Sequence, residues 1–307
     1  MMKAAGNFGP PQTEGHYASM FVIIGILAVI GCVIGSYMAM GGKLGVLNQP
    51  FEFTLIFGAG ASAFIIANPI RVVKGGLGRL GGIFKGPKYK KADYLELLTM
   101  QYQVFKLIKQ KGALAVEQHI ENPHDSKLFE PFPKFHHDHH AIEFFCDYLR
   151  LMTLGTDNPH EVEALIDSDL ETHHVHDHQV AHALTGMAES FPALGIVAAV
   201  LGVIKTMGSI NEPPEVLGKL IGGALVGTFL GILLCYGFFA PFASNAKAIM
   251  EEEATYFNCM KAGILAHLAG YAPAVSTEFA RKSLAPHNRP TFAEVETAVE
   301  SLPPVAG

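Results

Sequence analysis

The stretch Tyr17–Gly42, YASMFVIIGILAVIGCVIGSYMAMGG, carries no Asp, Glu, Lys or Arg. It lies between His16 and Lys43 and exceeds the about 20 apolar residues that a helix needs to cross a bilayer core. Three more runs share its texture: Phe53–Ile70 between Glu52 and Arg71, Ser190–Ile204 between Glu189 and Lys205, and Leu220–Ala246 between Lys219 and Lys247. Two runs stand on each side of a charged middle, which defines an integral membrane protein. The 307 residues are 50% hydrophobic and only 16% charged, and the polar remainder falls in the middle and the tail. The expected fold is all-α, with four transmembrane helices and a helical domain between the second and third.

Charge sets the orientation. Arg71, Lys74, Arg79, Lys85, Lys88, Lys90 and Lys91 follow the second run, whereas the turn after the first carries only Lys43. The positive-inside rule makes the middle cytoplasmic. The turns Lys43–Pro50 and Lys205–Lys219 then face outward and both chain ends lie inside. Residues 1–16 are polar with a single Lys, and the first run is too long for a signal core, so no cleavable signal is expected. The organisation predicted is a leader over 1–17, two membrane helices over 18–70, a cytoplasmic helical domain over 71–188, two more membrane helices over 189–246, and a cytoplasmic helix and tail over 247–307. The four cysteines form no CxxC pair, and no disulfide is expected.

In the middle, Leu95, Leu98, Tyr102 and Phe105 recur at helical spacing. Glu121-Asn122-Pro123 ends this helix or its successor, because the residue before Pro disfavours helix. A second helix is expected over His139–Leu154. A third begins after Asn158-Pro159, where Asn caps and Pro takes the first turn. After Ala246 a helix continues to about Leu268 and turns at Gly270-Tyr271-Ala272-Pro273.

The first two membrane runs are joined by a short turn and are expected to pair antiparallel, with Gly31, Gly35, Gly58, Gly60 and Ala63 allowing close approach. The third and fourth runs have faces that are nearly all Gly and Ala; such faces pack helix on helix or line a narrow pore. No Asp, Glu, Lys or Arg lies at the centre of any run. Intramembrane acids are the usual proton carriers, so a chain of this kind that moves a cation needs a carboxylate from a partner helix. The third run, at about 22 Å of helix, is short for a bilayer, so Glu189 is expected to snorkel at the cytoplasmic end. Pro192 and Pro241 read as kinks near the inner ends of the last two spans.

The residues FPALGIVAAV (191–200), VGTFLG (226–231), YGFFAP (236–241), DYLRL (147–151), IENP (120–123), GYAP (270–273), EFARK (278–282) and RPTF (289–292) resemble the MotA family of flagellar motor stator A-type subunits, within the MotA/TolQ/ExbB proton channel superfamily. The resemblance runs in register over about residues 18–295. It implies a bacterial inner-membrane stator subunit that self-associates into a ring, expected to be a pentamer. The ring would surround a MotB-like B-type partner, which supplies a membrane Asp and a peptidoglycan anchor. Ion flow would be converted into torque on a FliG-like rotor switch protein, for flagellar rotation and chemotaxis. Pro192 and Pro241 match the family's coupling prolines. Lys109 and Glu117 fall on its rotor contacts, an Arg and a Glu on a cytoplasmic helix; Lys keeps the charge and loses the bidentate fork.

Ala199, Thr228 and Tyr236 are the expected ion-pathway residues. Sodium wants several oxygen ligands, and the two helices offer only the Thr228 hydroxyl at that level, so a translocated proton is expected, with Na+ as the alternative and no cofactor. The fifteen histidines cluster at His136, His137, His139, His140 and at His173, His174, His176, His178, with His182 beyond. Spacing of i and i+4 would suit zinc or nickel, but acidic neighbours favour a solvated, pH-sensitive surface, and no metal is expected. An ExbB/TolQ-like subunit would carry its large insert after the first of three spans; here the insert follows the second of four. No nucleophile–base pair, phosphate loop or H-E-x-x-H argues for an enzyme.

Overall fold

The computed structural model describes residues 13–156 and 158–302, and the expected leader lies mostly outside them. The helices are, in order, α1 Thr13–Ala39, α2 Leu44–Leu47, α3 Pro50–Ala67, α4 Ile70–Gly82, α5 Lys91–Lys111, α6 Glu117–Glu121, α7 Pro133–His136, α8 His139–Thr153, α9 Pro159–Met207, α10 Pro214–Ile232, α11 Ala240–Leu268, α12 Pro273–Lys282 and α13 Phe292–Glu300. A π-helix, Leu233–Phe239, joins α10 to α11 without a break. There is no strand among the described residues. The described residues fall into two compact units: one holds residues 13–86 with Val175–Ile249, the other Pro87–His174 with residues 250–302.

Among the described residues four helices are long and apolar enough to cross a membrane: Met20–Ala39, Leu44–Ala67, Pro159–Met207 and Pro214–Leu268. All lie wholly or partly in the first unit. Their outer faces expose Phe21, Leu27, Ile65, Ile66, Val200 and Leu225. Such surface is costly in water and neutral in lipid. The third and fourth spans outrun their apolar cores. The short run Ser190–Ile204 sits inside a helix of 49 residues, because nothing from Pro159 onward breaks helix until Met207. Glu189 is therefore a mid-helix, exposed residue rather than the end of a short span. The expected pairing of the first two spans also changes. Gly31, Gly35 and Gly58 face open space, while α1 packs on the π-helix through Val29 and Gly237. Instead α3 packs on α10, and Phe191 and Leu194 of α9 lie over its Gly60.

Asn68-Pro69 separates α3 from α4. The Asn68 amide donates to the Phe64 carbonyl at 2.8 Å, closing the end of α3. Pro69 precedes the new helix, whose Val72, Val73 and Gly76 are buried, with Phe64 and Leu184 over Gly76 and Val180 over Gly75.

The second unit is a helical domain with a continuous apolar core that includes Leu97, Leu98, Phe105, Phe129, Phe135, Phe145, Leu149, Ile166, Met260 and Ile264. Each such side chain stabilises the fold by about 1.5–3 kcal/mol when fully buried. The stripe read on α5 is too narrow. Leu98 and Phe105 are buried, Leu95 and Tyr102 only partly, and Tyr94, Leu97, Met100, Gln101 and Val104 are buried as well. The cause is that α7, α12 and α13 all pack on α5, so it is a central helix with little free face. The predicted α8 is found with Phe144, Phe145, Tyr148 and Leu149 buried. Asn158 accepts from the His160 amide at 3.1 Å, capping α9 as expected. Gly270, at φ 89°, closes α11 in a conformation that other residues rarely adopt.

Candidate functional site

The third and fourth spans meet along a seam of backbone. A Cβ built on Gly231 would lie 2.5 Å from the Phe191 carbonyl oxygen, one on Gly195 2.8 Å from the Gly227 carbonyl oxygen, one on Gly227 2.9 Å from Ala198 Cβ, and one on Gly202 2.6 Å from Ala224 Cβ. Gly195, Ala198 and Gly202 on α9 thus face Ala224, Gly227 and Gly231 on α10 at three- and four-residue steps. The two Gly/Ala faces fill one another along this seam.

Ala199 and Thr228 sit at its edge, each only partly buried and each next to a seam residue. The Thr206 and Thr185 hydroxyls bond back to the carbonyls of Gly202 and Ala181 at 2.8 and 3.0 Å. Among the described residues no hydrogen bond engages the Thr228 hydroxyl, so it is free to serve a group from outside the chain. Tyr236 is 70% exposed and belongs to the π-helix. Its side chain leaves the seam for the outer surface.

Pro192 lies inside α9, where its missing N–H leaves the Ala188 carbonyl without its usual partner. Pro241 is the second residue of α11 and is exposed. The π-helix ends just before it: the Ala240 amide bonds the Cys235 carbonyl, five residues back, where an α-helix would reach four. Between the prolines lies an aromatic cluster that the sequence reading missed. The fully buried Phe191 ring is 4.7 Å from Phe239 and 6.3 Å from Phe57, and its edge fills the space over Gly60. The available signal was a Phe close before each proline, one residue before Pro192 and two before Pro241. A second omission is Glu52 in the first turn of α3, whose Oε2 is buried with no partner among the described residues.

In the helical unit, Lys109 is exposed in the last turn of α5 and Glu117 is exposed at the first residue of α6. They do not share one helix. Gly112, at φ 87°, stops α5, and a 3-10 turn, Ala113–Val116, reorients the chain. Beneath Lys109 lies His267, buried and stacked on Phe105 at 4.6 Å. Burial, aided by the Lys109 charge, pushes its imidazole down to about 4, so it is neutral near pH 7. Asp138 anchors the same unit, accepting from Lys88 and Tyr89 at 2.7 Å each. Burial opposes its charge, and those bonds overcome the burial and hold it below the usual carboxylate range.

The i, i+4 spacing of His136 and His140 does not fall on one helix. His136 ends α7 and His139 opens α8, with Asp138 between them in extended backbone. His124 instead approaches His136 and His139, with ring centroids 6.1 and 4.9 Å apart. Among the described residues no group of three or more His, Cys, Asp or Glu is placed to hold a metal ion.

Residues 23–112 match the family model for the motility protein A N-terminal region, and residues 137–259 that of the MotA/TolQ/ExbB proton channel family. Motility protein A of Escherichia coli (strain K12) is 42% identical over 283 residues, which cover 92% of this chain and 96% of that protein. The chain belongs to the MotA family. Another MotA relative, the chemotaxis protein LafT of Vibrio parahaemolyticus, is 34% identical across 89% of this chain and 96% of its own. The flagellar MotAB stator complex from Bacillus subtilis superposes with a TM-score of 0.65 at 26% identity, covering 83% of this chain and 92% of the compared one. The N-terminal MotA model spans the first membrane pair, α4 and α5.

Proposed function

We propose that this chain is the A-type stator subunit of a flagellar motor. With a MotB-like B-type partner in the inner membrane it conducts protons and turns their flow into torque. The α9–α10 seam carries this reading: a pair of spans locked backbone to backbone, with no acid at mid-membrane and an unspent Thr228 hydroxyl at its edge. A channel so built needs a carboxylate from its partner. The partner's Asp, alternately protonated and charged, would change the field and the hydrogen bonding at Thr228 and Ala199. Each charge crossing the membrane supplies about 2.3 kcal/mol per 100 mV. A ring of copies, read as a pentamer around the B-type pair, would sum such steps, with Pro192 and Pro241 letting the helices bend. Lys109 and Glu117 present a cation and an anion to a FliG-like rotor face. The single hydroxyl supports protons over sodium, and the basic middle supports placing both chain ends in the cytoplasm. No covalent chemistry is required of any residue, which supports a transporter-motor rather than an enzyme.

The test is expression with a B-type partner in cells lacking stators, reading swimming speed. Speed that ignores sodium and collapses with a protonophore is expected; sodium dependence would keep the stator and overturn the reading of Thr228 and Ala199. An assembled complex that powers envelope transport but never swimming would move the chain to the ExbB/TolQ-like alternative. Within the same cells, Lys109→Glu and Glu117→Lys should weaken torque with assembly intact, and wild-type swimming in both would remove these residues from the rotor contact.

A further inference from the structure

Helix α4 begins just past the membrane-spanning α3, with only Asn68-Pro69 between them. One side of it is committed. Val72, Val73 and Ile83 are buried, and a Cβ on Gly76 would touch Phe64 at 3.1 Å and Leu184 at 3.3 Å. The other side is largely open. Ile70 and Leu77 are 68% and 63% exposed; Phe84, in the turn after the helix, is 43% exposed, with its ring against Phe242 at 6.3 Å. Ile70 and Leu77 lie seven residues apart and so share one line along the helix, which Phe84 extends beyond its end. Lys74 and Arg71 lie next to that line at about 100° per residue, with Lys85 beyond the helix end. The exposed face is therefore split lengthwise into an apolar strip and a basic strip.

The charges on this face are also unspent. From Phe53 to Ala92 the chain has no Asp or Glu. Three other cations of the basic middle are used: Arg79 pairs with Asp177 at 3.5 Å, Lys88 with Asp138 at 2.7 Å and Lys91 with Glu294 at 2.8 Å. Arg71, Lys74 and Lys85 are exposed, and among the described residues no ion pair or hydrogen bond engages them. The apolar strip continues the outer surface of α3, where Ile65 and Ile66 face outward in its last turn. Exposed apolar surface of this kind is stable when a bilayer covers it, and basic residues beside such a strip bind anionic leaflets.

We propose that this face of α4 seats anionic phospholipid, the Ile70–Leu77–Phe84 strip entering the acyl boundary while Arg71, Lys74 and Lys85 bind headgroup phosphates. The occupant is a lipid leaflet because the strip is continuous with a membrane span and its cations lack any carboxylate partner. This holds whichever ion is conducted and whether or not the chain drives a rotor.

The chain contains no Trp, so Leu77→Trp places one reporter on the face. The full chain carrying it, purified with its B-type partner, is placed in discs of equimolar phosphatidylcholine and phosphatidylglycerol, with bromine on one lipid or the other; the parent complex gives the background. Brominated phosphatidylglycerol should quench the reporter more strongly than brominated phosphatidylcholine. The variant with Arg71→Gln, Lys74→Gln and Lys85→Gln should lose that preference by roughly fivefold per cation removed, and high salt should erode it. These substitutions leave the packed side of α4 untouched, and Arg79, Lys88, Lys90 and Lys91 keep the orienting charge. Equal quenching by both lipids overturns the headgroup assignment. No quenching by either means that protein covers the face, and overturns the proposal. If Leu77→Trp does not assemble, mass spectrometry of lipid retained by the complex without it decides: enrichment in phosphatidylglycerol that disappears in the triple variant supports the site, and a retained ratio equal to the bulk overturns it.

Discussion

Gly231 shows how little freedom a single position can have. The atom nearest to its missing Cβ is a backbone carbonyl, that of Phe191, which cannot swing aside as a side-chain tip would. Gly231→Val must therefore separate the two helices. Overpacking of this kind costs about 1–3 kcal/mol. The thermal midpoint of the detergent-solubilised complex should fall by several degrees, and swimming should be lost. Gly218→Val, where nothing lies within 4 Å, should leave both unchanged. A Gly231→Val complex as stable as the parent would remove the backbone contact from the account. At this scale the sequence was informative about chemistry and weak about neighbours. The run of small residues at Gly195, Ala198 and Gly202 announced close approach, but composition does not say what approaches. Thr228 was legible as a lone hydroxyl; that it is unspent required seeing Thr206 and Thr185 bond to their own helix.

The two proline-bearing helices carry the element-scale prediction. Leu at position 192 restores an amide for the Ala188 carbonyl and removes the ring that a helix interior disfavours. In the Pro192→Leu complex, proton flow is expected with torque lost and assembly kept. Normal torque would show that the proline only fills space. Element types were readable because charge-free runs and proline breaks are local signals. Element lengths were not. The polar segment from Pro159 to Glu189 has no apolar run to advertise it, yet helix continues through it because no residue there terminates one. The crowding of α5 was hidden for another reason: two of the helices that enclose it, α12 and α13, come from the chain's far end. The split of Lys109 from Glu117 turns on Gly112 alone, and a glycine's φ is not visible in a sequence.

For the molecule as a whole, titration predicts a one-sided pH response. An ordinary imidazole titrates near 6.5, and His267 in the folded chain is pushed down to about 4. As pH falls below about 6.5 the unfolded chain takes up this proton first. Stability is therefore lost between about pH 6.5 and 4, by up to about 3 kcal/mol. His119, lowered by burial, acts in the same direction. Asp138, Glu278 and Glu294 are held below the usual carboxylate range, so their contribution is present above that range and is lost only at more acid pH. Glu96, raised by burial, works the other way. The thermal midpoint should be lower at about pH 5 than at about 7.5, and His267→Leu should flatten that slope; an unchanged slope would sink the assignment. The π-helix has a different kind of consequence for the long helix that crosses it. Inserting one residue's worth of backbone shifts the angular phase of everything after Phe239 by about 100° relative to everything before Leu233. Side chains on α10 and α11 therefore follow two clocks set apart by one tick, and a face continuous on a single wheel drawn through both is not continuous on the helix.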